Sequence, residues 1–298
     1  MPVQESVLET WSQQGSIQQS AATYQAIKKV LEDARAPYHN RAFNVFLQGS
    51  YGNDTNIRAD SDVDIVICTS EVFYFNTDNL DTAAKANFER RHPGSAQYTY
   101  QQFRTEVLSW LTKTYGSDVV PGKKAITIKP NSTRRKADVL VCANFRHYWS
   151  FDSDQSENYD LGIVFWKPDG TRIVNFPKQH SENCTTKHQS TNGWLKPTVR
   201  ALKNMRNRMI DIGVLESGIA PSYYLEGLLS NVPNDRFGQS FQNTFTRCIQ
   251  YIGGADLTAF TCMNGIHWLV RDNHEVCWAS ANCSTFLRAL ENYWRNPG

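Results

Sequence analysis

Short apolar runs separated by turn-forming segments predict most of the strands of this chain. Two of these runs flank the polar segment GSYGNDTNIRADS, a second pair flanks NSTRR, and a third pair flanks KPDG in the manner of a hairpin. The six predicted strands span residues 42–48, 62–69, 124–130, 136–143, 161–166 and 171–176. The first two thirds of the chain therefore predict a mixed sheet.

Apolar residues at helical spacing predict helices at both ends of the chain. Leu8, Trp11, Ile27 and Leu31 belong to a stripe that predicts one long helix over residues 3–35. The remaining predicted helices span residues 97–114, 195–212, 221–230, 237–252 and 282–295. We therefore predict an α+β fold, with a sheet lobe at 1–190 and a helical lobe at 191–298, both braced by the N-terminal helix. The cleft between two lobes is the expected ligand site.

Acidic residues stand at the starts of two otherwise apolar strands. Asp62 and Asp64 begin DVDIVI one residue apart, so their side chains leave the same face, and Asp138 begins a later strand in KADVLV. Because adjacent carboxylates repel each other, a cation is expected beside them. Carboxylate oxygens are also the ligands that Mg²⁺ prefers, and a pair of such ions can activate a hydroxyl and stabilise a leaving pyrophosphate.

A Gly-Ser turn ends the strand before the acidic pair. Gly49 permits a close backbone approach, and the amide and hydroxyl of Ser50 can hold phosphate oxygens. A Gly-Ser turn or an Asp-x-Asp pair alone is usually a turn or a solvated strand edge. Their combination, with eleven residues between Ser50 and Asp62 and a third acid on a later strand, indicates a metal-dependent nucleotidyltransferase site.

Composition excludes several classes of protein. A net charge of +2 gives no argument for a stable nucleic-acid partner, and no apolar run reaches the length of a membrane span. The N-terminus lacks the basic and apolar regions of a signal peptide. Seven scattered cysteines suit reduced thiols better than a disulfide framework, so we expect a cytoplasmic protein.

Four segments resemble a known family. QGSYGNDTNIRADSDVDIV, NFPKQH, WLKPTVRALKNMRN and IAPSYYLEGLLSNVP are similar to the polymerase-β-like nucleotidyltransferases, and among them to the bacterial cGAS/DncV-like enzymes (CD-NTases), nearest the CdnE branch. The similarity runs from about residue 10 to 295. It implies a polymerase-β-like fold and synthesis of a cyclic oligonucleotide signal from NTPs, which acts on a downstream effector in anti-phage defence (CBASS).

The same resemblance assigns roles to individual residues. It implies that Asp62, Asp64 and Asp138 hold two Mg²⁺ ions, for which Mn²⁺ can substitute, and that Gly49 and Ser50 lie against the triphosphate.

Residues of the predicted helical lobe complete the expected site. Lys203 lies on a basic helix face with Lys196 and Arg200; spacing alone favours a solvated face, but a nearby triphosphate makes Lys203 a phosphate ligand. Serine at a helix start is often a cap. The resemblance instead implies that Ser222 touches phosphate and that Tyr223 stacks on a base.

Base choice is predicted from two asparagines. Asn175 and Asn183 in NFPKQHSEN can pair with a base edge through a donor and an acceptor; the resemblance to the CdnE branch implies that such an asparagine reads uridine, and as an alternative both are turn residues. The basic stretch KPNSTRRKAD beside Asp138 predicts a solvated hairpin tip, with guidance of nucleotides or a partner as the alternative. Four rival functions stay open: a linear oligonucleotide synthase, an RNA-end nucleotidyltransferase, an AMP-transferring antitoxin and a non-catalytic nucleotide sensor.

Overall fold

The fold combines one mixed sheet with helices. A computed structural model describes residues 2–15, 17–57 and 62–297. The strands are β1 Phe43–Leu47, β2 Val63–Asn76, β3 Val119–Pro121, β4 Ile126–Ile128, β5 Ala137–Ser153, β6 Ser156–Trp166 and β7 Arg172–Asn175. The α-helices are α1 Glu5–Ser12, α2 Gln18–Leu31, α3 Gly49–Gly52, α4 Thr82–Arg91, α5 Tyr100–Tyr115, α6 Pro177–Ser190, α7 Leu195–Asp211, α8 Ser222–Ser230, α9 Phe241–Gly254 and α10 Ser280–Arg295.

Two parallel strands form the centre of the sheet. β2 pairs with β5 in parallel, and β1 lies antiparallel on the other side of β2. The first half of β5 pairs with β4, while its second half forms a long hairpin with β6, to which β7 is added. β2 is rich in β-branched residues, and Val63, Ile65 and Ile67 are fully buried. The predicted pairing of 124–130 with 136–143 and the hairpin around KPDG are both confirmed.

The chain divides into two compact units that are not continuous in sequence. One unit comprises Met1–Ser16, Gly49–Ser61 and Lys178–Gly298, and the other comprises Ile17–Gln48 and Asp62–Pro177. This division differs from the predicted lobes at 1–190 and 191–298, because α1, the Gly-Ser segment and nearly all of α6 lie in the helical unit. All seven strands described above lie in the other unit.

Each unit has a core of its own. In the sheet unit, Ile27 and Leu31 of α2 and Phe103 and Val107 of α5 pack against the buried residues of the central strands. In the helical unit, α7 is the central helix, with one face that is almost wholly apolar. Its core residues are Leu195, Val199, Leu202, Met205 and Met209, and they pack with residues of α1, α8, α9 and α10.

The predicted single N-terminal helix is wrong, because the described residues form two helices. α1 ends at Ser12, where Gln13 takes an extended conformation, and α2 begins at Gln18. Gly15 favours helix poorly, and its N–H donates to the carbonyl of Asn56 instead of continuing a helix. Gln14 adds a bond from Nε2 to Asn56 Oδ1 at 2.8 Å. α1 and α2 therefore belong to different units, and one helix does not brace both.

Three helices (α3, α4 and α6), strand β3 and large parts of β2, β5 and β6 are not predicted from periodicity. In α6 only His180 and Cys184 are buried, and in α4 only Phe88 is buried, so neither helix shows an apolar stripe. β5 and β6 extend well beyond the predicted runs, into segments where aromatic and charged residues alternate less regularly. Phe88 of α4 packs against Tyr148 and Phe151, and this contact stabilises the extension of β5.

Candidate active site

The acidic residues of the sheet unit are aligned by strand register. Asp64 of β2 lies directly opposite Asp138 of β5, so both side chains leave the same face of the sheet. Thr127 of β4 lies opposite Asp138 on the other side, and its hydroxyl donates to Asp138 Oδ1 at 2.6 Å. Asp62 immediately precedes β2 and is half-buried. The sheet thus holds three carboxylates at the starts of two adjacent parallel strands, as predicted.

A lysine supplies the cation that the acidic pair requires. Lys136 Nζ donates to Asp62 Oδ2 and lies 3.6 Å from Asp138 Oδ2. The hydrogen bond to Asp62 is the main reason why the pKa of Lys136 is raised. Lys136 is part of KPNSTRRKAD, and Arg134 in the same stretch donates to Asp118 and to the carbonyl of Lys129. The predicted hairpin tip is confirmed, because residues 129–133 are exposed between the antiparallel strands β4 and β5, while Arg134 and Lys136 at its end are half-buried.

The chemistry of these acids fits a hard divalent cation. Their donors are carboxylate oxygens, and Asp62 and Asp138 already share one positive charge in the form of the Lys136 ammonium. Across residues 2–15, 17–57 and 62–297, however, no three acidic, histidine or cysteine side chains converge into a ready-made metal centre. The assignment of Asp62, Asp64 and Asp138 as metal ligands therefore stays a prediction.

The Gly-Ser turn lies in the helical unit. Gly49 has a φ of +71°, a conformation that side chains with a Cβ avoid, so glycine is required there. Ser50 is half-buried within the single-turn helix α3. The turn is closed by backbone hydrogen bonds from Asn53 to Gly49 and from Thr55 to Ser50, at 3.2 and 2.9 Å. The positive φ is a separate reason for glycine at this position; the close backbone approach at Gly49 and the contact of Ser50 with phosphate stay predictions.

The basic face of α7 binds the segment that follows this turn. Lys196 Nζ lies 3.0 Å from Asp54 Oδ2, and Arg200 donates to the Asp54 carbonyl at 2.6 Å and to the carbonyl of Ser12. Asp54 itself has a positive φ of 56°. Lys196 and Arg200 on this face are thus engaged by protein acceptors, and they bind the segment that follows Ser50 through Asp54.

Lys203 lies deeper on α7 and is fully buried. Its Nζ donates to Glu226 Oε1 at 2.8 Å and to the carbonyl and hydroxyl oxygens of Thr55 at 3.1 and 3.2 Å. These three acceptors account for the three N–H groups of an ammonium. The structure therefore argues against the predicted direct contact between Lys203 and phosphate.

Ser222 and Tyr223 begin α8. The N-cap residue is Pro221, so Ser222 is the first helical residue, and its hydroxyl accepts a long hydrogen bond from Arg206 at 3.4 Å. The Tyr223 ring stacks on His180 with centroids 5.2 Å apart and planes at 29°, and its hydroxyl accepts from Asn264 Nδ2 at 3.1 Å. Burial raises the pKa of Tyr223 far above its usual value. Tyr223 is therefore held in a fixed orientation, and its contact with a base stays a prediction.

The two candidate base-reading asparagines lie in different units. Asn175 ends β7, and its Oδ1 accepts from the backbone N–H of Phe176 at 2.8 Å, which is the local bond of a turn residue. Asn183 lies within α6, so it is not a turn residue, and its Nδ2 donates to the carbonyl of Met263 at 3.0 Å. Each amide thus has one group engaged, and base reading by either residue stays a prediction.

Comparisons with known proteins identify the family. The C-terminal helical domain of cGAS/DncV-like nucleotidyltransferases matches residues 182–295. A cyclic UMP-AMP synthase of Rhodothermus marinus is 39% identical over the full length of both chains. The chain belongs to the cGAS/DncV-like nucleotidyltransferases. The family and the α+β fold predicted from the sequence are thereby confirmed.

A solved structure shows the same fold, and a further relative is named for a different product. The structure of the Rhodothermus marinus CdnE c-UMP-AMP synthase with Apcpp and Upnpp superposes with a TM-score of 0.88 at 37% identity, covering 100% of this chain and 98% of that one. A cyclic dipurine nucleotide synthase of Elizabethkingia meningoseptica is 32% identical, covering 90% of this chain and 91% of its own. Nucleotide choice therefore varies among CD-NTases at this level of similarity.

Two groups beside the predicted site are not evident from sequence motifs. Lys136 precedes Asp138 by two residues and so shares its strand face, which could have signalled the missing cation. Glu226 is a single acid inside the apolar helix SYYLEGLL, which could have signalled a buried ion pair.

Within the ranges that the structure describes, no helix is long and apolar enough to cross a bilayer.

Proposed function

We propose that this CD-NTase joins ATP and UTP into cyclic UMP-AMP. The observation that carries the proposal is the 39% identity, over the full length of both chains, with the cyclic UMP-AMP synthase of Rhodothermus marinus. The intact acids Asp62, Asp64 and Asp138 and the Gly49-Ser50 turn support catalysis. The product is a second messenger that reaches a downstream effector in anti-phage defence. Seven free thiols suit the reducing cytoplasm as the compartment.

The acids have distinct roles in the proposed reaction. Asp62, Asp64 and Asp138 would hold two Mg²⁺ ions, which when bound supply charge stabilisation at phosphate oxygens, and Mn²⁺ would substitute for them. Thr127 occupies Oδ1 of Asp138 and orients the carboxylate. Oδ2 of Asp138, which lies 3.6 Å from Lys136 Nζ, would accept the proton of the attacking ribose hydroxyl.

Each transfer forms one bond and breaks one. The ribose oxygen forms a bond to the α-phosphorus of an NTP, and the bond to pyrophosphate breaks. A second transfer within the linear intermediate closes the ring, so two pyrophosphates leave per product. Ser50 and Ser222 contact the phosphates, Tyr223 stacks on a base, and Asn175 or Asn183 reads the base edge. Positioning and charge stabilisation supply most of the catalysis in such phosphoryl transfers.

Product analysis tests the proposal. The protein is incubated with Mg²⁺ and labelled NTPs, singly and in pairs, then treated with phosphatase, and the products are identified by mass spectrometry. We expect a phosphatase-resistant cyclic UMP-AMP that forms only when ATP and UTP are both present, and none from the Asp64→Asn variant. A phosphatase-sensitive product indicates a linear synthase, dependence on added RNA indicates RNA-end transfer, and NTP binding without pyrophosphate release indicates a sensor. Each of these results overturns the proposal.

A further inference from the structure

One buried carboxylate in the helical unit joins four separate segments of the chain. Glu226 of α8 is 4% exposed, and its Oε1 accepts from Lys203 Nζ at 2.8 Å and from the Thr55 hydroxyl at 2.6 Å. Its Oε2 accepts from His180 Nε2 at 2.7 Å. Lys203, Thr55 and His180 belong to α7, to the segment after the Gly-Ser turn and to α6. Glu226 is therefore the common acceptor of this buried network.

A network of this kind is not needed merely to fill a core. Removing charges from water is costly, and apolar residues of similar volume often stabilise a fold as well or better. Burial alone raises the pKa of Glu226, but the charge of Lys203 and the hydrogen bonds from His180 and Lys203 lower it by more, so the carboxylate is ionised at neutral pH. Hydrogen bonds fix the orientation of the groups that make them, so the network can orient the Thr55 and His180 side chains, which an apolar cluster cannot do.

Both ends of the network lead to residues proposed to hold nucleotide. Thr55 donates its backbone N–H to the carbonyl of Ser50 at 2.9 Å, which closes the Gly-Ser turn. His180 stacks on the Tyr223 ring, and Glu226 lies about one helical turn along α8 from Tyr223. A single carboxylate thus fixes the phosphate-binding turn at one end and the stacking ring at the other.

We propose that Glu226 is a positioning residue that holds the Gly49-Ser50 turn and the Tyr223 ring in register for one bound nucleotide. Lys203 and Thr55 act through it and are not themselves phosphate ligands. This inference rests on the proposed function, which assigns Ser50 and Tyr223 to the nucleotide. It predicts that loss of Glu226 weakens nucleotide binding, whereas loss of an acid in the sheet unit lowers the rate.

Three variants separate positioning from stability. Glu226→Gln leaves Lys203 buried without its counter-charge, so it should lower both thermal stability and nucleotide affinity. The double variant Lys203→Met with Glu226→Gln removes both charges, so its melting temperature should recover. Thr55→Val keeps the ion pair and removes only the hydroxyl that ties the turn to Glu226. The control Glu157→Gln disturbs a comparable network with Arg146 and Tyr148 in the sheet unit.

The measured quantities are KM and kcat for pyrophosphate release, the dissociation constant of the ATP analogue Apcpp by calorimetry, and the melting temperature. The double variant and Thr55→Val should raise KM and the Apcpp dissociation constant about 10- to 100-fold, the range for a lost charge-assisted hydrogen bond. Their kcat should change by less than about threefold. Glu157→Gln should leave KM unchanged.

Specific results would overturn the inference. Recovery of both KM and melting temperature in the double variant shows that the network serves stability alone. An increase in KM from the double variant, with none from Glu226→Gln or Thr55→Val, shows that Lys203 contacts nucleotide directly. If the wild type releases no pyrophosphate, the proposed function fails, and Apcpp binding by the same variants still decides whether Glu226 positions a nucleotide site.

Discussion

Replacement of Lys136 by Met tests whether the acids of the sheet unit form a cation site. The variant removes the only charge seen to neutralise Asp62 and Asp138 among the residues that the structure describes, and keeps the apolar stem of the side chain. Side-chain exposure of 41% for Lys136, 40% for Asp62 and 27% for Asp138 means that solvent screens both ion pairs. At about 0.2–1 kcal/mol for each exposed pair, we expect a total loss of about 1 kcal/mol.

That loss sets the size of the thermal effect. An unfolding entropy of about 2.1 cal/mol/K per residue gives about 0.6 kcal/mol/K for 298 residues. A loss of about 1 kcal/mol then lowers the melting temperature by about 1–2 °C in EDTA. The control Lys124→Met removes an exposed lysine of the same unit that precedes β4, and it should leave the melting temperature unchanged.

Saturating Mg²⁺ should abolish the difference in melting temperature between the two proteins. Mg²⁺ competes with the Lys136 ammonium for the same carboxylates, so removal of about 1 kcal/mol of competition tightens Mg²⁺ binding about fivefold. A ligand at 100 times its dissociation constant stabilises a fold by about 2.7 kcal/mol, or about 4 °C here. Calorimetric melting over a Mg²⁺ titration measures both effects. If the Mg²⁺ concentration that raises the melting temperature by a fixed amount is equal in wild type and Lys136→Met, Mg²⁺ does not bind at these acids.

Three further predictions follow from other parts of the site. Asp138→Asn should lower the rate of pyrophosphate release at least about 100-fold, the scale of one lost preorganised electrostatic contact, with unchanged melting; a rate within tenfold of wild type contradicts the assigned role. Gly49→Ala places a Cβ at a φ of +71° and should cost about 1–2 kcal/mol, seen as a melting temperature lower by about 2–3 °C, whereas the control Gly94→Ala, at an open position, should not. Because the pKa of Glu226 is lowered on folding, its stabilisation is complete above its unfolded pKa of about 4.3 and is lost as pH falls below that value. The wild type should therefore lose stability from pH 5 to pH 3 more steeply than the Lys203→Met, Glu226→Gln variant, as measured by urea unfolding; parallel pH profiles would contradict this.

The sequence predicts the sheet around the acids well because its signals are local. The first halves of β2 and β5 are short, largely buried apolar runs, so where these strands begin, and the positions of Asp64 and Asp138 there, follow from the local pattern. The parallel register that sets Asp64 opposite Asp138 needs long-range pairing, which the pattern does not encode. α6 is not predicted, because its stability comes from two buried side chains instead of an apolar stripe.

The local sequence pattern does not predict which groups the charged residues of the site contact in the folded chain. Spacing places Lys203 on a basic helix face, but its burial against Glu226 and Thr55 depends on residues 23 and 148 positions away. A lysine that meets acceptors in the core and one that meets solvent have the same local sequence. The prediction for Lys203 therefore failed on tertiary contacts, while the requirement for glycine at Gly49 is met by a backbone angle that is set locally.

The discontinuous helical unit has a consequence for how the chain folds during synthesis. Thr55 and Glu226 are hydrogen-bonded at a separation of 171 residues, and α1 packs against α7, which begins at Leu195. Contacts of such long range slow folding, because a large loop must close before they form. α1 and the Gly-Ser turn therefore gain their partners only after most of the chain has left the ribosome. A fragment that begins at Lys178 would lack them permanently, so this unit cannot be made as an independent module by simple truncation.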